Sequence, residues 1–212
     1  MKTKISFKVI ILVALLAGLL IPFKPARAAE SKTLQPFPDF VTMVTNGQAD
    51  VVRGVYVPGV LADRVVAQPA ANPGYVSKLD GTVTRFDMAA RYKVIGLLAH
   101  NNLAGVSFSN LAVGQEIRII YGDGRVAIYL INQVARFQAL QPFSENSDFL
   151  DLNTNSTYSA GAIFKMFYQG GDHVIFQTCI SQDGNSSWGR LFVTAAPASY
   201  AYNNETHSMG LH

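Results

Sequence analysis

Only one cysteine occurs in the chain, Cys179, within the stretch His173–Ala195. It follows the apolar run Val174–Phe176. After a polar turn that carries a glycine, Arg190 opens a second apolar run, Leu191-Phe192-Val193. Two strand-like runs around such a turn predict a β-hairpin. That hairpin places Cys179 and Arg190, eleven positions apart in sequence, at the facing ends of paired strands. A fixed positive charge beside a thiol favours the thiolate and stabilises developing negative charge. The plainer reading of a lone cysteine is a small buried hydrophobe. An unpaired thiol in an exported chain is nonetheless worth reading as reactive. Composition alone leaves both readings open.

A reactive thiol needs a base, and the chain has four histidines. His173 lies on the same strand six residues before Cys179, about 20 Å away at roughly 3.3 Å per residue, and cannot reach it. His207 and His212 fall in a polar tail beyond Pro197, read as poorly ordered. His100 stands where an apolar strand gives way to a polar loop, a common position for site residues on a rigid scaffold. Elimination favours a His100–Cys179 pair of nucleophile and base. A structural role for His100 remains the alternative.

The elements that must position this pair read as short strands. Val51–Val66 suggests two strands around Pro58-Gly59, and Thr82-Val83-Thr84 a third. Tyr92–Ala99 is a buried strand ending at His100, and Leu103–Leu111 could hold a helical turn. Glu116–Tyr121 and Val126–Ala135 form a second hairpin around Gly122-Asp123-Gly124. Gln141–Gly171 is the longest interruption between strands. Within it Tyr158–Tyr168 has the apolar spacing of a helix packed on the barrel wall. Many short strands and one helical excursion predict an all-β barrel with minor helix.

The first 28 residues read as a secretory signal peptide. Lys2, Lys4 and Lys8 precede an uncharged apolar run of fifteen, Val9–Phe23, and an A-x-A pattern ends at Ala28. Fifteen is short of the roughly 20 residues of a bilayer span, so retention as an anchor is the minority alternative. Either way the remainder is expected outside the cytoplasm, secreted or at the outer face of the membrane or cell wall. Residues 29–49 read as a polar tether, 50–200 as one barrel domain and 201–212 as a disordered tail. Five of the seventeen Lys and Arg lie in the leader, leaving twelve against fourteen Asp and Glu, a net charge of −2. No basic cluster survives, so a nucleic-acid partner is not expected. Membrane contact is expected only if the leader is retained. The glycines lack phosphate-loop or dinucleotide spacing.

At the level of motifs the chain resembles the sortase family. Leu98-Ala99-His100, followed by Phe108-Ser-Asn-Leu111 and Gly114-Gln-Glu-Ile117, is similar to the sortase histidine region. Gln177-Thr178-Cys179, with Arg190 opening the next strand, looks like the sortase Thr-Cys signature and its following arginine. The likeness spans about Asp50–Pro197. It implies an eight-stranded sortase barrel with short helices in the connections, and cysteine transpeptidation. By position, Cys179 would attack the Thr–Gly bond of an LPxTG-like sorting signal and hold the substrate as a thioester. His100 would shuttle the proton, and Arg190 would bind substrate and oxyanion. Thr178 and Asn101 would contribute to substrate binding.

The implied partners are surface proteins with a C-terminal sorting signal and an amine acceptor, such as a cell-wall precursor or a protein lysine. A cysteine peptidase that hydrolyses the same thioester, or a non-catalytic peptide-binding module, are the alternatives. No cofactor is expected. Asp151-x-Asn153-x-Asn155 opens like a calcium loop, but Ser156 and Ala162 stand where glycine and glutamate are required, so a solvated turn is the better reading.

Overall fold

The computed structural model describes residues 34–198. The expectations for the leader, 1–28, and for the tail, 201–212, lie outside the described residues. Ten strands form one sheet: β1 (Val52–Val57), β2 (Leu61–Ala67), β3 (Thr82–Arg85), β4 (Val94–Leu98), β5 (Glu116–Tyr121), β6 (Val126–Ala139), β7 (Phe149–Asp151), β8 (Thr157–Tyr158), β9 (His173–Gln182) and β10 (Asn185–Pro197). Eight of them close on themselves in the order β6-β10-β9-β4-β3-β2-β1-β5, because β10 also pairs with β6 along Gly189–Pro197. The expected eight-stranded barrel with short helices is what the chain forms. β7 and β8 hang from β6 as a small flap that sequence reading left inside the long interruption.

Period-2 alternation divides the barrel strands between two cores. The inner one holds Val55, Val57, Leu97, Ile117, Ile119, Val174, Phe176, Leu191 and Val193. A 3-10 helix (Ala104–Asn110) adds the fully buried Phe108, which meets Phe176 edge-on at 5.0 Å. Outside the wall, the expected helix is α3 (Ala160–Tyr168), started by Ser159, whose hydroxyl accepts from Ala162 N. Its Ile163, Phe167 and Tyr168 pack on Ile175, Phe192 and Phe137. Phe167 and Phe192 stack at 4.3 Å, and burying a ring of this size is worth about 1.5–3 kcal/mol.

One expectation changes. The segment read as a polar tether contains α1 (Phe37–Val44), and the short helix α2 (Asp87–Ala90) follows β3. Phe40 and Val44, one turn apart, are buried with Tyr56 and Ile120 on the outer face of β1 and β5. Pro36 and Pro38, taken as marks of a loop, sit at the helix start, where a missing N–H costs nothing.

Candidate active site

The β9–β10 hairpin forms as predicted, and its turn is two residues long. Asp183 and Gly184 both have positive φ, 51° and 78°, the backbone of a type I′ turn. Continued without interruption from the Asn185–Gln182 pair, that turn would set Trp188 opposite Cys179. A register shift between Asn185 and Gly189 adds residues on β10, and Arg190 becomes the partner of Cys179. The bulge is stitched down from both sides. Asn101 Nδ2 donates to Ser186 O at 2.9 Å and to Ser181 Oγ at 2.7 Å, and Arg190 Nη1 donates to Ser187 O and Gly189 O.

His100 arrives from the other side. β4 runs parallel to β9, with Gly96 beside Ile175 and Leu98 beside Gln177. The strands stay together past the last pair, since Ala99 N donates to Gln177 O at 3.2 Å and Thr178 Oγ1 donates to Ala99 O at 2.9 Å. Two residues beyond Leu98 and Gln177, the same register sets His100 beside Cys179, with adjacent strands roughly 5 Å apart. His100, Cys179 and Arg190 therefore form a row across three neighbouring strands. All three are half-buried and lie on the outward phase of the wall.

Past His100 the chain turns at once into the 3-10 helix. His100 O accepts from Leu103 N and Gly105 N at 3.0 and 3.1 Å. Gly105 has no room for a side chain: a Cβ there would lie 2.7 Å from His100 O and nearer still to Thr178 Oγ1. Thr178 is buried, and its hydroxyl is used on Ala99 O. Thr178 and Asn101 both line the cavity beside Cys179, yet their donors hold the histidine loop to the hairpin.

Two cavities flank the row. One, of about 260 Å³, is walled by Cys179, Thr178, Asn101, Val106, Ser109 and Arg136. The other, of about 160 Å³, is walled by Arg190, Gln177 and the aromatic rings of Phe86, Phe149, Phe164 and Phe192, with Glu145 also on its lining. Tyr168 borders the aromatic cavity and donates its hydroxyl to Gln177 Oε1. Full burial pushes the Tyr168 phenol well above its ordinary range, so it stays a donor. Arg190 Nη2 reaches Pro142 O at 3.5 Å in the β6–β7 connection, and among the described residues no carboxylate pairs with its guanidinium.

His173 is far down β9, paired with Val94, and both its ring nitrogens face backbone carbonyls, of Gly171 and Phe167. His207 and His212 lie outside the described residues. The Asp151 carboxylate accepts from Asn153 N and Thr154 N at 2.7 and 3.2 Å and caps its own turn. Among the described residues no three His, Cys, Asp or Glu converge as a metal site would require.

Neither Gln177 nor Arg136 was taken as a site residue from sequence. Gln177 had a signal, since it is two positions before Cys179 on the same strand face. Arg136 had none, because it joins the site only through the pairing of β6 with β10.

No protein-family model matches the chain, and no curated protein matches it in sequence. Solved structures that it resembles include several sortases. Sortase C-1 from Actinomyces oris is 13% identical, covers 80% of this chain and 84% of its own, and superposes with a TM-score of 0.45. For sortase A of Listeria monocytogenes the identity is 13%, the coverage 69% and 86%, and the TM-score 0.41. A Clostridium perfringens sortase D5 transpeptidase gives 12%, 77% and 89%, and 0.45.

Proposed function

We propose that the chain is an exported cysteine transpeptidase of the sortase type, with Cys179 as nucleophile, His100 as proton shuttle and Arg190 as oxyanion and substrate ligand. The observation that carries this reading is the row across three neighbouring strands, in which backbone register sets His100 and Arg190 on either side of Cys179. The motif order His, Cys, Arg supports it from sequence, and the form of the leader supports export.

The chemistry follows from the row. The Cys179 thiolate attacks a peptide carbonyl, and the negative charge that develops on oxygen is met by the Arg190 guanidinium. His100 protonates the departing amine as the C–N bond breaks, leaving a thioester on Cys179. It then takes a proton from the incoming amine as the new C–N bond forms and the C–S bond breaks. The donor is a surface protein with an LPxTG-like sorting signal, and the acceptor is an amine at the cell surface. Asn101 and Thr178 act by holding the histidine loop against the hairpin.

A peptide-library cleavage screen on the chain without residues 1–28, run with and without a small amine, tests this reading. Cleavage of one motif with ligation to the amine is the expected outcome. Cleavage with water as the only acceptor would make the protein a peptidase, and binding without cleavage would make it a recognition module.

A further inference from the structure

We infer that the 260 Å³ cavity beside Cys179 receives the acyl acceptor, and that Arg136 selects a primary amine whose molecule also carries a carboxylate. The inference rests on the thioester chemistry proposed above and names the class of its second substrate. Cys179 lines this cavity and Arg190 lines the other, so a scissile carbonyl bound between them has space on both sides. The aromatic cavity, lined by four phenylalanine rings, suits the acyl side chain. The other, which Cys179 itself lines, is left for the nucleophile that attacks the thioester.

Arg136 is the only charged side chain on that cavity's wall. It stands on β6 opposite Leu191, which in turn pairs with Thr178, so it is reached across the strand that carries Arg190. Among the described residues no carboxylate or other side chain engages its guanidinium. A lone cation has two effects on an arriving amine. It disfavours the ammonium form and so favours the neutral nucleophile. It also repels an acceptor with further positive charge and attracts one with a carboxylate, which guanidinium grips in a two-pronged pair. In the step itself the amine nitrogen bonds to the thioester carbon and its proton passes to His100. The C–S bond breaks, and the electron pair returns to Cys179 sulfur.

The test compares glycylglycine with glycylglycinamide as acceptors, which differ in the carboxylate. The wild-type chain should show a KM about fivefold lower for glycylglycine, the size of a partly exposed ion pair. In Arg136→Gln the two KM values should converge, and Arg136→Lys should keep part of the difference. Equal KM values in the wild type, or a ratio that survives in Arg136→Gln, would overturn the inference. A binding measurement separates it from the reading it rests on. In the Cys179→Ala chain, the Arg136 Nε–Hε NMR signal should shift with glycylglycine and not with its amide. Failure to form any thioester would sink the proposed transpeptidation, whereas an equal response to both probes would sink the role of Arg136.

Discussion

The two cavities beside Cys179 are built from different parts of the molecule. The aromatic one belongs to the outer core: its rings are those that fasten α3 to the wall, with Phe164 stacked on Tyr168 and Phe86 edge-on to Tyr168 at 5.1 Å. The other belongs to strand ends and the 3-10 helix, and the hydrogen bonds of Asn101 and Thr178 tie its walls together. Removing a ring therefore costs stability and binding together. On the other side, an exposed lining residue such as Val106 can change at little cost to the fold. This asymmetry suits a site that takes a demanding acyl donor on one side and a small nucleophile on the other.

The sharpest way to break the comparison is to remove the group that serves both sides. His100→Ala should slow both donor cleavage and amine transfer by about a thousandfold, since a positioned acid–base group typically contributes a hundredfold to ten-thousandfold. Single-turnover cleavage and aminolysis assays check this, and a loss confined to one half-reaction would move the proton shuttle elsewhere. Next, Phe167→Ala should cost about 3–4 kcal/mol in urea unfolding, because Phe167 is fully buried between Phe137 and Phe192. Val106→Ala, on the cavity beside Cys179 and 54% exposed, should stay within about 0.5 kcal/mol of wild type. Similar losses from the two would erase the distinction.

Smaller effects sharpen it. Arg190→Lys keeps the charge but loses the planar fork, and should lower the rate of thioester formation about tenfold to a hundredfold, read by stopped-flow acylation. Thr178→Val should cost about 1–2 kcal/mol of stability in urea unfolding, since Ala99 O loses its buried donor.

The smallest effect is a pH dependence. Burial raises the Tyr168 and Tyr129 phenols above their ordinary value of 10.0, so the unfolded chain loses those protons first. Their contribution is present below about pH 10 and is lost as pH rises beyond it. Urea midpoints between about pH 9 and 11 should fall, and less steeply in Tyr168→Phe.

Much of this was legible before any coordinates. The hairpin runs around Gly122-Asp123-Gly124 and after Cys179 follow from β-branched and aromatic residues in short runs between glycine turns. The helix Ala160–Tyr168 follows from its apolar spacing. What was not legible depended on long-range pairing or on packing. Nothing local around Arg136 announces that β6 will close the barrel on β10. The prolines before Phe37 favour a loop on propensity, until Tyr56 and Ile120 supply an apolar surface for the helix to cover. The facing of Cys179 and Arg190 was expected, but it rests on a bulge: the Asp183-Gly184 turn alone would have put Trp188 there. Bulges are specified by contacts such as Asn101 to Ser186, which join positions far apart in sequence.

The central claim is that Cys179 carries the acyl group, and a trapped adduct tests it most directly. The chain without residues 1–28 would be mixed with a cleaved peptide motif, quenched in acid and digested, and the Cys179 peptide weighed by mass spectrometry. The account predicts an acyl mass on Cys179 that disappears on adding an amine and is absent from Cys179→Ala. Peptide cleavage persisting in Cys179→Ala, or an adduct on another residue, would contradict it.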